Sequence, residues 1–310
     1  MQQIESPFGF HTTAAEVADG IDLTGKTAIV TGGSSGIGIE TARVLAQAGT
    51  SVTLAVRNTI AGETVADDLR ARTRNGNIVV RPLELADIGS VARFVADWDR
   101  PVDLLINNAG IMATPELTKT PEGRELQFAT NFLGHFQLSL GLHRWLTQAG
   151  TARVVSLTSS GHLISPVVFD DLDFKFRPYD PWAAYGQSKT ANALLAVAIT
   201  QRWAQDGITS NAVMPGAIAT GLQKHTGGLR TPVEWRKTVE QGAATTIFAA
   251  VSPLLEGIGG HYLEDVADAQ TVTERAELAR GVAPYALDKD NADRLWDLAE
   301  NLVHTRGTLA

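Results

Sequence analysis

The sequence predicts an α/β fold in which helices cover both faces of a doubly wound parallel sheet. Short aliphatic and β-branched runs recur along the chain, each separated from the next by a segment of helical length. Parallel strands need such crossover segments, so the alternation itself points to this architecture. A glycine cluster, Thr31-Gly-Gly-Ser-Ser-Gly-Ile-Gly38, lies between the first run and the first helical stretch. Hydrophobic residues make up 44% of the 310 and charged residues 19%, which is ample apolar material for a core.

Taken in order, a polar arm over residues 1–23 precedes a single domain over residues 24–310. Thr27–Thr31 forms the first strand, and a helix runs from about Ile37 to Ala48. Further strands fall at Ser51–Val56, Ile78–Leu83, Asp103–Asn107, Arg153–Thr158 and Thr209–Val213. Each is a short apolar run flanked by helical-length segments, as buried parallel strands require. The less regular stretch 217–240 reads as a lid, with Thr226-Gly-Gly228 supplying backbone freedom. Asp290–Glu300 has the pattern of an amphipathic helix that docks Leu295, Trp296 and Leu298. No internal repeat or low-complexity linker interrupts the chain.

The glycine cluster has the spacing G-x-x-x-G-x-G. Gly32 permits a tight turn, Gly36 lets the backbone approach a pyrophosphate, and Gly38 allows close helix–strand packing. The helix N-terminus then offers unpaired N–H groups to the negative charge. A strand before and a helix after are the context that a Rossmann-type dinucleotide turn requires. Asn107-Asn-Ala-Gly110 follows the fourth strand, Tyr185-Gly-Gln-Ser-Lys189 comes after the fifth, and Pro215-Gly216 follows the sixth. With these motifs in this order, the segment from about Asp22 to Tyr262 resembles the short-chain dehydrogenase/reductase family. Asn107–Met112, Glu125–Asn131 and Ala184–Lys189 further resemble its branch of retinol-dehydrogenase-like enzymes and the WW-domain-containing oxidoreductase.

That resemblance implies a nicotinamide dinucleotide held by Gly32, Ser34, Ser35, Gly36, Ile37 and Gly38 at the phosphates. It puts Asn107, Asn108, Ala109 and Gly110 along the adenosine and ribose side, with Thr31 and Ser34 as added hydroxyl contacts. Pro215, Gly216, Ile218 and Thr220 would meet the carboxamide. Glu84 and Leu85 fall near the adenine; relatives usually carry aspartate where Glu84 stands, so the side-chain contact there stays open. The end of the second strand, Ala55-Val56-Arg57-Asn58, selects between cofactors. An acidic residue would accept bonds from the ribose hydroxyls and repel a 2′-phosphate. Val56 stands in its place and Arg57 follows, a guanidinium suited to a phosphate. The expectation is therefore NADP(H) rather than NAD; a solvated strand-end arginine is the competing reading.

At the reaction end, Tyr185 and Lys189 are four residues apart and share one face of a helix. A nearby ammonium favours the phenolate of a tyrosine, and so does the positive nicotinamide of the oxidised cofactor. The resemblance makes Tyr185 the general acid/base and gives Lys189 the nicotinamide ribose as well. It makes Ser159 the group that orients the substrate oxygen, with Ser160 as the neighbouring alternative. Asn131 is implied as the holder of a water in the proton relay. His135 and His162 lie close by in sequence, but no G-x-S-x-G elbow accompanies them, which argues against a hydrolase.

Ser159 and Tyr185 stand 26 positions apart, a longer connection than compact family members use, and Phe169–Phe176 lies within it. The branch implies lipophilic alcohols, aldehydes or ketones as small-molecule partners. Phe169, Phe174, Phe176, Trp182, Leu222 and Trp235 are candidate pocket residues, with core or oligomer contact as the competing reading. A net charge of −8 argues against nucleic acid as a partner. There is no cysteine, which excludes disulfides and thiolate catalysis, and the seven histidines show no metal-ligand spacing. No run approaches the roughly 20 apolar residues of a membrane span, and no signal peptide is evident, so no membrane partner and a cytoplasmic location are expected. A homodimer or homotetramer is implied by the resemblance alone. Two functions are carried forward: an NADP(H)-dependent alcohol dehydrogenase or carbonyl reductase, and a dinucleotide-bound interaction or redox-sensing protein with little turnover.

Overall fold

The computed structural model describes residues 4–275 and 279–304. The first three residues of the expected arm and the last six of the expected domain range lie outside them. An eight-stranded sheet runs in the order β10-β9-β6-β5-β4-β1-β2-β3. Its first six strands in sequence are β1 (Thr27–Thr31), β2 (Ser51–Val56), β3 (Ile78–Pro82), β4 (Leu104–Asn107), β5 (Ala152–Leu157) and β6 (Ile208–Met214). All of these pair in parallel. The doubly wound fold is therefore as the alternation requires, with β1 and β2 at the expected bounds and the ends of the other strands shifted by one residue.

Alternation of side chains along each strand divides the core into two layers. Ala28 and Val30 of β1, with Leu104 and Ile106 of β4, face one layer. That layer also holds α1 (Ala14–Val17), α2 (Gly36–Gln47), α3 (Thr59–Thr73) and α8 (Val239–Val251). Ile29 and Leu105 face the other, with α4 (Ile88–Ala96), α6 (Gly134–Ala149), α7 (Pro181–Trp203) and α9 (Lys289–His304). Both faces being covered explains why the strands read as continuous apolar runs. Leu295 and Trp296 of α9 are buried and Leu298 is half-buried against that layer. The Trp296 ring meets Phe136 at 5.0 Å and Trp203 at 5.2 Å, both edge-on.

The expected arm packs on the domain. Thr13 and Glu16 form a capping box on α1, and Ile4, Ala14 and Val17 are buried against the α2 and α8 layer. The lid region is closed at its base by two short strands, β7 (Ala217–Ile218) and β8 (Arg236–Lys237), which pair in parallel. Phe10 of the arm meets Trp235 beside this base at 6.1 Å.

Besides β7 and β8 in the lid, two strands of the main sheet were not anticipated, β9 (Tyr262–Glu264) and β10 (Ala267–Asp268). With three and two residues they are too short to carry a readable period. The chain β1-β2-β3 winds outward one way from the middle of the sheet, and β4-β5-β6 winds the other way. The crevice at the carboxyl ends of β1 and β4 is thus the topological switch point, where such sheets bind ligands. Among the described residues no helix is long and apolar enough to cross a membrane, and no group of side chains is placed to hold a metal.

Candidate active site

Two turns lock together at that crevice. The N–H groups of Asn108 and Ala109 donate to Thr31 Oγ1 at 2.9 and 3.0 Å, and Asn108 Nδ2 donates to Thr31 O at 2.7 Å. The packing demands glycine: a Cβ on Gly38 would stand 2.6 Å from both Asn108 Nδ2 and Gly32 O. Gly32 and Gly36 hold φ at 65° and 54°, in the left-handed region. The next residue before α2, Ser35, makes no side-chain cap bond, so the first turn of the helix keeps donors for an anion. These features fit a dinucleotide pyrophosphate. Ile37 and Ile218 converge on Gly242 of α8, and the Thr220 methyl faces Gly36, where a Cβ would be 3.3 Å away. Thr220 also caps the first turn of the lid, accepting from Leu222 N–H at 3.2 Å.

Two expected contacts are redirected inward. Thr31 is fully buried and its hydroxyl is engaged by the two turns, so it does not face the crevice. Asn107 is also buried and its Nδ2 donates to Ser139 Oγ at 3.2 Å, behind the sheet. At the other end of the crevice Arg57 is solvent-facing, its side chain 75% exposed, and pairs with Glu84 at 3.4 Å. The Asn58 side chain caps α3, accepting from Ala61 N–H at 3.1 Å. Leu85 is buried, with its carbonyl against Gly134. Pro215 and Gly216 follow β6, and Gly216 lies against the Lys237 side chain.

Tyr185, Lys189, Ser159 and Asn131 come together beside these turns. Tyr185 and Lys189 lie on α7, with Lys189 Nζ 5.6 Å from the tyrosine ring centroid. The Ser159 hydroxyl lies close enough to the Tyr185 phenol to lower its pKa, and accepts from Gly161 N–H at 3.0 Å. Ser159 rather than Ser160 therefore faces the tyrosine. Lys189 Nζ donates to Leu157 O at 3.0 Å, and Gly110 lies over both Lys189 and Asn131. Asn131 sits in a π-helical turn, Ala129–Leu133, between the short helix α5 (Leu126–Phe128) and α6. Such turns recur at functional sites.

Burial moves both titrating groups toward their neutral forms. It pushes the Tyr185 phenol up to about 12, against a smaller lowering by the Ser159 hydroxyl. It brings the Lys189 ammonium down to about 8. The expectation that Lys189 holds the tyrosine low is not what the folded chain shows on its own, because burial of the phenol dominates and the opposing influence is Ser159.

The comparisons with known proteins agree with this geometry. A family model described as short chain dehydrogenase matches residues 26–228. The chain belongs to the short-chain dehydrogenase/reductase family. It is an oxidoreductase of that family, whose members bind nicotinamide dinucleotides. A Streptomyces antibioticus protein named "Probable oxidoreductase" is 48% identical over 290 residues, covering 89% of this chain and 97% of its own. Retinol dehydrogenase 12 of Mus musculus is 36% identical, covering 91% of this chain and 88% of its own. A solved structure of an uncharacterised protein from Mycobacterium paratuberculosis superposes with a TM-score of 0.74 at 34% identity, covering 93% and 96% of the two chains.

Within the family's Tyr-x-x-x-Lys motif, the three middle residues each hold a neighbour. Gly186 lets the chain approach Gly161 O, 2.7 Å from where its Cβ would be. Gln187 binds the long connection, accepting from Val168 N–H at 3.1 Å and donating to Leu172 O at 3.0 Å. Ser188 accepts from Asn131 Nδ2 at 2.9 Å and donates to Tyr185 O at 2.7 Å. Sequence reasoning missed these roles, since each is set by a partner distant in the chain. It also missed what His162 does. Ala283 N–H donates to His162 Nε2 at 3.1 Å, so the proton is on Nδ1, which faces Ser159 O at 2.8 Å and the Tyr262 hydroxyl at 3.0 Å.

The aromatic candidates separate. Phe169 packs on the core beneath Arg294, while Phe174 is buried against Tyr179 and Arg177. Phe176 is 88% exposed, and Trp235 meets Phe10. Only Trp182 and Leu222 of the six face Tyr185: the Trp182 ring lies 6.2 Å away, edge-on, and Leu222 packs with Met112 and Ala113 against it. Ala113 has a left-handed φ of 50° and donates its N–H to Gln127 Oε1 at 2.7 Å. Gln127 Nε2 in turn reaches Tyr179 OH at 3.0 Å and Pro181 O at 3.1 Å, tying this wall to the start of α7.

Proposed function

We propose that this protein is an NADP(H)-dependent alcohol dehydrogenase or carbonyl reductase that interconverts a lipophilic alcohol and its carbonyl compound. The observation that carries the reading is the buried Tyr185 phenol, with the Ser159 hydroxyl beside it across Gly161 and Lys189 one turn further along α7, next to the glycine turn. The cofactor, when bound, supplies or accepts the hydride. Tyr185 acts as the general acid/base: in reduction its hydroxyl proton passes to the substrate oxygen, and in oxidation it takes that proton back. Ser159 holds the same oxygen. Lys189 stabilises the phenolate that proton donation leaves, and the Asn131 segment with Lys189 restores the proton. Tyr185, Lys189 and Asn131 are buried, which strengthens each of these interactions.

The cofactor preference is supported by Arg57 at the end of β2, exposed and able to turn from Glu84 toward a 2′-phosphate. The lipophilic substrate class is supported by Met112, Ala113, Trp182 and Leu222 around Tyr185. Glycine-turn residues Gly32, Ser34, Ser35, Gly36, Ile37 and Gly38 are assigned to the phosphates, and Pro215, Gly216, Ile218 and Thr220 to the nicotinamide end. NADPH consumption against a panel of hydrophobic aldehydes, ketones and secondary alcohols tests the reading. Turnover lost in Tyr185→Phe, with NADPH binding retained, is the expected result. NADPH binding without turnover of any member of the panel would leave the interaction or redox-sensing function instead.

A further inference from the structure

One fully buried side chain touches both halves of the site and has no part in the chemistry above. His135 lies one helical turn after Asn131, with Nδ1 2.8 Å from the Asn131 carbonyl oxygen and Nε2 2.9 Å from Thr31 Oγ1. We propose that His135 is a positioning residue that fixes the Asn131 main-chain carbonyl relative to the cofactor turn at Thr31. This rests on the role given to Asn131 and Lys189 above.

The hydrogen-bond inventory decides the direction of both bonds. A hydroxyl has one proton and two acceptor sites. The N–H groups of Asn108 and Ala109 fill both acceptor sites on Thr31 Oγ1. Its proton is then shared between Nε2 at 2.9 Å and Ile106 O at the longer distance of 3.2 Å. Nε2 is the acceptor, so the ring proton is on Nδ1 and donates to Asn131 O. Burial holds the imidazole near pKa 4, with the Lys189 ammonium adding to the effect, so the ring stays neutral and this pattern persists through the working range.

The Asn131 side chain has no capacity left to take part in a relay through its donors. Its Oδ1 accepts from Ile111 N–H at 2.8 Å, and Nδ2 donates to Ile111 O and Ser188 Oγ, both at 2.9 Å. Oδ1 keeps a second acceptor site; the main-chain carbonyl is the polar group that His135 reaches, and it has a second lone pair beside the one His135 occupies. It lies in the π-helical turn, outside regular α-helical register. The imidazole therefore holds in place, from the side, a carbonyl that the helix alone would hold less firmly. The same ring hangs from the hydroxyl that pins Asn108 and Ala109, so the carbonyl is registered to the turn that lines the crevice.

The test uses the full chain labelled with 15N-histidine, with and without NADPH. The expected spectrum shows His135 as the neutral Nδ1–H tautomer from pH 5 to 8, with its Nδ1 and Nε2 shifts moving when NADPH is added. An Nε2–H tautomer, or shifts that ignore NADPH, overturns the proposal even if no substrate is ever found. The kinetic arm compares His135→Phe with His135→Asn, whose amide reaches the Nδ1 position. His135→Phe should lose kcat by about 10-fold or more, the scale of a misplaced relay group, with KM for the carbonyl compound little changed. His135→Asn should restore most of it. Equal losses in both, or an unchanged kcat in His135→Phe, would reduce His135 to a packing residue. Failure of the functional reading has a different signature: a wild-type chain that binds NADPH and turns over nothing, whatever His135 does.

Discussion

Replacing Gly161 with alanine tests whether contact between the turn after β5 and the Tyr185 ring sets the reaction geometry. The added methyl carbon would stand 2.8 Å from Tyr185 Cε1 and 2.9 Å from Cδ1. Carbon atoms in contact prefer about 3.5–4.0 Å, so something must yield by roughly 0.7 Å or more. Backbone strain is not involved, because Gly161 has no left-handed φ. The ring has little room: it is 3% exposed, packed by Met112, Ala113 and Leu222 and bordered by Trp182. If the turn moves instead, it takes Ser159 with it, since Gly161 N–H donates to Ser159 Oγ at 3.0 Å. Either way the phenol and the hydroxyl part. Overpacking of this kind costs about 1–3 kcal/mol of stability, and displacement of reacting groups by about 1 Å costs up to about 100-fold in rate. Steady-state reduction of a hydrophobic aldehyde should show kcat down by about 10- to 100-fold. NADPH affinity, read by quenching of tryptophan fluorescence, should stay within a few-fold. A Gly161→Ala protein with kcat within about twofold of wild type would refute the reasoning.

Three other outcomes are expected. Arg57→Ala should weaken NADPH binding by about 10-fold or more, as loss of a charge-assisted phosphate contact does, and leave NADH binding nearly unchanged; equal effects on both in a fluorescence titration would reject the assignment of Arg57. The rate of carbonyl reduction should be level on the acid side and fall as pH rises through about 8, because Lys189, lowered by burial, loses there the charge that stabilises the phenolate; a kcat profile still level at pH 10 would rule that out. Trp296→Ala should cost about 3–5 kcal/mol in denaturant unfolding, since a buried ring packed on Phe136 and Trp203 leaves a cavity, while cofactor affinity is retained.

The central strands were legible because each is buried on both faces and flanked by a helix-length segment. Thr27–Thr31 and Ser51–Val56 appear with the bounds expected of them. The glycine turn was legible from its place between a strand and a helix, although the close contacts that demand glycine at Gly32 and Gly38 come largely from distant Asn108 and Ala109. Contacts whose partners lie far away in sequence were not. Thr31 looks like a cofactor contact until the Asn108 and Ala109 amides claim its hydroxyl from 77 and 78 positions away. Five aromatic candidates look alike in sequence, and only packing shows that Trp182 faces Tyr185 while Phe174 lies under Arg177. His162 and His135 looked like a lure toward hydrolysis. Each instead turns Nδ1 to a main-chain carbonyl, of Ser159 and of Asn131, over the short reach of i, i+3 and i, i+4. Both partners were in plain view, but the second bond of each ring, to Ala283 and to Thr31, was not.

The electrostatics of the site carry the same lesson one step further. A tyrosine four residues from a lysine suggests a phenol acidified by its neighbour. In the folded chain burial dominates at both groups, raising Tyr185 to about 12 and lowering Lys189 to about 8. At neutral pH the phenol is therefore fully protonated and the ammonium largely so. That pairing suits donation: Tyr185 carries the proton a carbonyl oxygen needs, and Lys189 carries the positive charge that steadies the phenolate left behind. Removal of a proton from an alcohol asks more, because the phenolate must form first in a buried site where Lys189 Nζ sits 5.6 Å from the ring centroid. In the proposed reaction the positive nicotinamide of the oxidised cofactor is the charge that makes up this difference. It follows that the chain's own residues lean toward reduction near neutrality, and that oxidation gains as pH rises.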